Sequence, residues 1–430
     1  MAAECWSRRA TVTMLVLLSS VPGAWGRAAN QPVTYAEYLR NSAVSRSVID
    51  TFLNENTWAQ FDPELGYILG NAMPRDGLDG SLTISTAQPA GWRTSFMYAD
   101  RPCRINTYGD SFTQCHQVSD GETWQEYLAA HLGEPIRNFG MGGYGVYQAY
   151  RRMVREEQTD HAADYVILYI WGDDHIRSLL RCRHASFYRW WNDYGGKMFH
   201  NNFWAHVEMD PDTGQWVEKE NRLPTRESLY RMTDADWMGE NLKDDLALHM
   251  LVFAQGLVRD IDMETVEKLA RRLNIPAGDV PSQVANPRGY VRHVLDKYGL
   301  AATRYILIKT REFTRREGKK LLVVLFDPGR VMPALVQGQP RYDQEIVAFL
   351  QANDFKYFDM NVVHVEDFKA FRLSFDQYRR RYFIGHYNPA GNHFFAFAIK
   401  DTLVDWLDPK PITYRPTEES LIDFEDYLPK

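Results

Sequence analysis

The chain is poor in cysteine, has no excess of positive charge and has no apolar run long enough to cross a bilayer. Only 4 of its 430 residues are cysteines, and none has the spacing of a Cys-x-x-Cys redox motif or a metal site. The formal net charge of −7 argues against nucleic acid or an anionic membrane as a partner, because basic surfaces bind such partners. We expect no metal, no organic cofactor and no stable membrane span.

The composition that remains is typical of a globular protein. Hydrophobic residues make up 45% of the chain and charged residues 24%, which is enough to build a substantial core. Aromatic residues are frequent, at 13%, and include 12 Trp and 24 Tyr. These rings indicate either a large aromatic core or a surface that stacks on sugars.

The first 26 residues have the pattern of a secretory signal peptide. Arg8 and Arg9 precede an apolar run over residues 10–21, and small residues flank a cleavage position at residues 24–26. We expect cleavage and a secreted or periplasmic protein that begins near Arg27. A retained amino-terminal anchor is the alternative.

Export makes the remaining cysteines informative. Without the signal peptide the chain keeps Cys103, Cys115 and Cys182, an odd number in an oxidising compartment. This number predicts one disulfide and one free thiol. The Cys115–Cys182 pair is preferred, because both residues follow predicted strand ends at the same edge of the sheet.

Alternating strand and helix patterns predict an α/β domain. A helix at residues 35–55 and short strands and loops at residues 61–100 form a lead-in to it. The predicted strands are residues 104–108, 136–139, 165–171, 320–326 and 357–359. The predicted helices are residues 123–132, 146–157, 240–256, 262–273, 301–317, 343–352 and 389–407.

This alternation predicts a doubly wound, flavodoxin-like parallel sheet of five strands in a three-layer α/β/α arrangement with a large insertion. The segment between the third and fourth strands is too long for a simple crossover, so we interpret it as an insertion at the mouth of the site. The predicted organisation is a signal peptide (1–26), a lead-in (27–103), the α/β domain (104–175 and 299–408), the insertion (176–298) and a carboxyl-terminal tail (409–430).

Three sequence blocks place reactive residue types at strand ends or beside the last helix. Ser111, within Gly-Asp-Ser-Phe, follows the first strand, where open α/β sheets carry reactive groups, although an N-capping serine in a turn is the alternative. A glycine-rich run at residues 138–145 follows the second strand and would let backbone N–H groups approach a substrate oxygen. His386 lies in the loop before the last helix, whereas His393 lies inside that helix. A serine, a histidine and oxyanion donors are the requirements of nucleophilic acyl transfer.

Together these blocks resemble the SGNH (GDSL-type) hydrolase superfamily, in its exported bacterial type. The resemblance covers roughly residues 60–175 and 300–407. It implies that Ser111 is the nucleophile and that His386 is the catalytic base. It also implies that the backbone N–H groups of Ser111 and Gly143 bind the oxyanion.

A fourth block, residues 171–175 directly after the third strand, departs from the family pattern Gly-x-Asn-Asp. Asp173 is taken to stand where the family has an asparagine whose amide donates to the oxyanion. An ionised carboxylate cannot donate such a bond. Either Asp173 is held protonated by burial, or the oxyanion hole rests on backbone N–H groups, or Asp173 has another task.

The second departure is the missing triad acid. The family commonly has an aspartate three residues before the catalytic histidine, and that position is Phe383 here. His386 is oriented either by a main-chain carbonyl or by a displaced acid, for which Asp327 and Asp173 are the candidates.

These residues predict an exported serine esterase that cleaves an acyl ester, such as an O-acetyl group on a carbohydrate. The expected partner is therefore a small-molecule or carbohydrate ester. An O-acyltransferase that moves the acyl group to a glycan is one alternative, because it shares the first half-reaction. A non-catalytic binding protein that has kept the fold is the other.

Overall fold

The computed structural model describes residues 31–210, 212–275, 283 and 285–416. The predicted signal peptide and most of the predicted tail lie outside these residues. The described strands are β1 (Ala59–Asp62), β2 (Gly66–Leu69), β3 (Ile105–Tyr108), β4 (Arg137–Asn138), β5 (Tyr165–Trp171), β6 (His206–Met209), β7 (Trp216–Lys219), β8 (Lys320–Phe326) and β9 (Tyr357–Asp359).

The α-helices in the same part of the chain surround these strands. They are α1 (Tyr35–Arg40), α2 (Arg46–Asn54), α3 (Ser111–Gln114), α4 (Trp124–Leu132), α5 (Val146–Glu156), α6 (Asp174–Arg177), α7 (Arg183–Phe187), α8 (Ala235–Leu242), α9 (Leu246–Ala254), α10 (Met263–Arg272), α11 (Pro287–Arg316), α12 (Val331–Val336), α13 (Gln344–Ala352), α14 (Met360–Ala370), α15 (Phe375–Tyr382) and α16 (Pro389–Trp406).

A parallel sheet in the order β4-β3-β5-β8-β9 forms the centre of the molecule. Counted along the sheet's own strands this order is 2-1-3-4-5, the doubly wound flavodoxin-like order. The predicted fold class is therefore confirmed. The order reverses between β3 and β5, and ligands of such folds bind at the carboxyl edge beside that reversal.

Helices cover both faces of the sheet because the central strands are apolar on both sides. Every residue of β5 is buried, with Leu168 in the core on one face and Tyr169 in the core on the other. Helices α5 and α11 pack on the first face, and α4, α14 and α16 form the layer on the second. This is the three-layer arrangement expected from the sequence.

The lead-in and the predicted insertion share the core of the first face. The Ala205 N–H donates to the Glu64 carbonyl at 2.9 Å, and the Tyr67 and Trp204 rings stack with centroids 6.0 Å apart. Both rings are fully buried, as is Trp124 in the other core, so these large aromatics serve as core residues. The helix predicted from residue 301 begins at Pro287, where Asn286 caps it by accepting from the Gly289 N–H.

Two helix predictions are wrong because each predicted helix is divided in the structure. The helix predicted over residues 35–55 is two helices, because α1 ends at Arg40 and α2 begins after Ser45. The helix predicted over residues 240–256 is divided where the Asp245 side chain accepts from the Leu248 N–H and starts α9. None of the described helices is long and apolar enough to cross a membrane.

The predicted disulfide is wrong. Cys103, Cys115 and Cys182 are all free thiols. Cys115 belongs to the core on one face of the sheet and Cys182 to the core on the other, so the sheet separates them.

Candidate active site

The site begins where β3 turns into the short helix α3. Gly109 is required at this turn, because a Cβ there would lie 2.8 Å from the Tyr169 carbonyl oxygen of the neighbouring strand. Asp110 caps α3, and its Oδ1 accepts from the Phe112 N–H at 2.9 Å. Ser111 is thereby placed at the carboxyl edge of the sheet, beside the reversal of strand order.

Ser111 and His386 are in direct contact. The Ser111 Oγ and the His386 Nε2 are 2.8 Å apart. The loop between α15 and α16 carries the histidine to this position, with Gly385 at φ +128°. A Cβ on Gly385 would lie 2.6 Å from Gln117 Oε1, so glycine allows the loop to approach Gln117 closely. The serine and histidine that the sequence singled out therefore meet in space.

Gln117 contacts the Nδ1 side of the His386 imidazole and determines which ring nitrogen carries the proton. Its Oε1 accepts from the His386 backbone N–H at 2.8 Å and lies 3.0 Å from Nδ1, while its Nε2 donates to the Asp76 carbonyl at 3.0 Å. The backbone donor and the carbonyl acceptor fix which end of the amide is oxygen. Nδ1 must then carry the proton, and the unprotonated Nε2 faces Ser111, as a general base requires.

The backbone at Gln117 is strained, which supports a functional role. Gln117 has φ +73°, in the left-handed region, and is buried. Such a conformation costs a residue with a Cβ about 1–2 kcal/mol and persists where the surrounding structure requires it. The sequence does not single out Gln117, because an uncharged amide does not resemble the acid that usually orients a catalytic histidine. The one feature of the sequence that points to Gln117 is its position six residues after Ser111.

Neither candidate acid contacts His386. The Asp327 Oδ1 accepts from the Gly329 and Arg330 N–H groups, and burial raises its pKa to about 6. The Asp173 side chain is 40% exposed and lies 3.9 Å from Arg177 Nη2. The sequence left a main-chain carbonyl and a displaced acid open, and in the structure the side-chain amide of Gln117 takes this position instead of either.

A buried histidine and aspartate lie behind this amide. The His116 Nε2 lies 3.1 Å from Asp76 Oδ2, and the His116 and His386 ring centroids are 5.0 Å apart. Burial raises the pKa of Asp76, but the contact with His116 and the hydrogen bond from Thr83 outweigh this and lower it below its usual value. Asp76 therefore stays ionised in the wall behind His386.

Burial, followed by the charges of His116 and Arg177, holds the pKa of His386 well below 6.5, and Asp76 opposes this only in part. A general base works in its neutral form, so activity should fall only as pH drops through this lowered pKa. We expect kcat/KM to stay level through neutral pH and its acid limb to lie below the usual histidine pKa of 6.5. A pH profile measured with a neutral ester checks this, and an acid limb centred at 6.5 or above would contradict it.

The two backbone N–H groups predicted to bind the oxyanion make no hydrogen bond within the described residues. In the described part of the chain, the N–H groups of Ser111 and Gly143 have no acceptor, whereas Gly142 donates to Gln114 Oε1 at 2.8 Å. Gly143 has φ +85°, and a Cβ there would lie 2.5 Å from the Arg183 guanidinium carbon. The left-handed φ therefore favours glycine at this position, and the missing side chain leaves room for Arg183.

The buried carboxyl at the end of β5 belongs to Asp174, not to Asp173. The Asp174 Oδ2 accepts from the Trp171 N–H at 2.9 Å, and Oδ1 accepts from Arg177 at 3.0 Å. Burial and the negative charge of Asp110 raise the pKa of Asp174 well above its usual range. In the pattern Gly-x-Asn the asparagine stands two residues after the glycine, which is residue 174 when Gly172 is the glycine. The sequence alone therefore indicates Asp174, and the assignment to Asp173 is wrong. A protonated carboxyl can donate a hydrogen bond, as an asparagine amide does.

Gln117→Leu removes the acceptor that fixes the His386 tautomer. It leaves the Nδ1–H buried without a partner, so we expect kcat to fall by about 10- to 100-fold, with a smaller change in KM. Gln117→Glu keeps an acceptor and adds a negative charge, so activity should be partly restored and the acid limb of the pH profile should move to higher pH. Equal kcat in Gln117→Leu and wild type, with both folded, would contradict this role.

Comparison of the chain with protein-family models gives no match, and neither does comparison with curated proteins. Family membership therefore stays a prediction that rests on the sequence blocks around Ser111, Gly143 and His386.

Proposed function

We propose that this protein is a serine esterase of SGNH type. The observation that carries the proposal is a chain of contacts from Asp76 through Gln117 and His386 to Ser111. This chain places the proton on His386 Nδ1, so the unprotonated Nε2 faces the Ser111 hydroxyl. An N-capping serine in a turn does not need such a chain. In α3 the capping side chain is that of Asp110.

The residues present account for each proton in the proposed reaction. His386 Nε2 takes the Ser111 proton as the oxygen attacks the acyl carbonyl, and the Ser111 and Gly143 N–H groups receive the developing oxyanion. Protonated His386 then gives its proton to the leaving alkoxide, which forms the acyl-enzyme. Water, activated by His386 in the same way, releases the acid and restores Ser111.

Gln117 stabilises the positive charge of protonated His386 less than an aspartate would. The amide carbonyl is a dipole without a net charge, so it orients Nδ1–H but supplies less electrostatic stabilisation. The site is suited to esters with good leaving groups or to substrates whose own binding supplies further stabilisation.

A carbohydrate ester as substrate and an exported location belong to the same proposal. They rest on the signal-peptide pattern of residues 1–26, the aromatic content and the family resemblance. Transfer to a glycan hydroxyl instead of water shares the acyl-enzyme. Incubation with an acyl donor and a glycan separates the two reactions, because hydrolysis yields only free acid whereas transfer yields an acylated glycan.

Labelling with a fluorophosphonate probe tests the proposed nucleophile. We expect one label per chain, located on Ser111 by peptide mass spectrometry, and none in Ser111→Ala. Ser95→Ala is the matched control, since the Ser95 hydroxyl makes one long hydrogen bond of 3.4 Å, to the Ile136 carbonyl. A folded wild-type protein that takes up no label at Ser111 would exclude the proposed chemistry.

A further inference from the structure

A guanidinium group packs against the predicted oxyanion-hole glycine. Arg183, the first residue of α7, donates from Nη1 to the Gly143 carbonyl at 3.0 Å. A Cβ on Gly143 would lie 2.5 Å from both Nε and the guanidinium carbon, so the missing side chain allows the arginine to pack on the glycine α-carbon. The Phe187 ring centroid lies 4.4 Å from the same guanidinium carbon. These contacts hold Arg183 in one orientation.

The remaining edge of this guanidinium has no partner. Among the residues that the structure describes, nothing accepts from Nε, which is buried, or from Nη2, and no carboxylate pairs with Arg183. Arg177 differs, because its Nη1 lies 3.0 Å from Asp174 and 3.9 Å from Asp110. Burial, followed by the charge of Arg177, lowers the pKa of Arg183 to about 10, so the group remains charged at neutral pH.

The Nε and Nη2 edge of Arg183 has the donor geometry of an oxyanion receptor. The Nε–H and Nη2–H of an arginine point in the same direction and match two oxygens of one carboxylate, sulfate or phosphate group. Asp173 and Asp174 act on the Arg183 charge only from beyond salt-bridge distance, so a directly bound anion lowers the remaining cost of burying this cation. The packing of Arg183 on Gly143 places such an anion beside the predicted oxyanion hole.

We propose that the substrate is an acyl ester that also carries a carboxylate, sulfate or phosphate group, and that the Nε and Nη2 edge of Arg183 binds this group. The proposal rests on the proposed esterase function and specifies its substrate as acidic. Acetylated uronic acids and acetylated sugar sulfates or phosphates have this chemistry.

Matched esters that differ in one charged group test the proposal. Acetate release is measured with O-acetyl-glucose, O-acetyl-glucuronic acid and the 6-sulfate and 6-phosphate of O-acetyl-glucose. We expect wild type to favour at least one anionic ester by about tenfold or more in kcat/KM, and Arg183→Met to lose that preference. Arg183→Lys should retain only part of it, because an ammonium cannot form two parallel bonds. Arg189→Met, an exposed arginine of the same segment, is the control and should keep the full preference.

The outcomes separate the anion site from the esterase chemistry. If wild type hydrolyses neutral and anionic esters equally, the anion site is excluded while the esterase function stands. If Arg183→Met lowers kcat/KM for every ester by the same factor, Arg183 acts on the transition state and the proposal is overturned. Binding of glucuronate, sulfate and phosphate to the full-length Ser111→Ala protein is measured by NMR line broadening. Binding that Arg183→Met weakens supports the anion site even if no ester is hydrolysed, which would refute the esterase function alone.

Discussion

Ser111→Ala is expected to lower kcat/KM for ester hydrolysis by about 10⁴-fold or more. The variant has no atom that can form the acyl-enzyme, and His386 Nε2 loses the hydroxyl that lies 2.8 Å away. Only the slow attack of water in the same site remains. Initial rates with an activated acetyl ester measure the effect, after the rate of ester hydrolysis without enzyme has been subtracted.

The loss should occur without a comparable loss of stability. The variant loses the contact of Ser111 Oγ with His386 Nε2 and a longer hydrogen bond of 3.3 Å to Asp110 Oδ2, so the free energy of unfolding should change by about 1–2 kcal/mol. Ser95→Ala, assayed in parallel, should keep wild-type kcat/KM. A folded Ser111→Ala protein with activity within tenfold of wild type would remove Ser111 from the mechanism.

His386→Gln is expected to cause a loss of similar size. The glutamine amide approximates the volume of the ring but cannot accept the serine proton at neutral pH. Because serine and histidine act as one unit, the double variant Ser111→Ala/His386→Gln should be no worse than the more damaged single variant. The three variants and wild type form a double-mutant cycle measured by kcat/KM.

Additive losses in that cycle would mean that the two residues act independently. His393→Gln is the matched control, because His393 lies inside α16 and its ring packs against Tyr127 with centroids 5.1 Å apart. It should keep wild-type activity. A similar loss in His393→Gln would show that the assay reports helix damage instead of base catalysis.

The fold was predictable because its signals are local and strong. β5 is a continuous apolar run and was predicted at its observed bounds, as was β8. One of the helix predictions that were wrong failed at a single capping side chain, that of Asp245. The sequence does not distinguish a capping aspartate within a long helical pattern from an aspartate on an exposed helix face.

The contacts of the candidate site were less predictable than its serine and histidine. Ser111 and His386 stand in recognisable blocks, whereas Gln117 acts through a strained backbone and a contact 269 residues away. Sequence pattern does not encode such a contact. Assigning Cys115 and Cys182 to one disulfide failed for a related reason, since sharing an edge of the sheet does not place two residues on the same face.

Trapping the acyl-enzyme tests the central claim most directly. The protein is mixed with an activated acetyl ester, quenched with acid within the first turnover, and analysed by intact mass and peptide mapping. The proposed mechanism predicts one added acetyl group per chain, located on Ser111, that forms more slowly in Gln117→Leu and is absent from Ser111→Ala. Acetylation of another residue, or turnover by folded protein with Ser111 always unmodified, would contradict it.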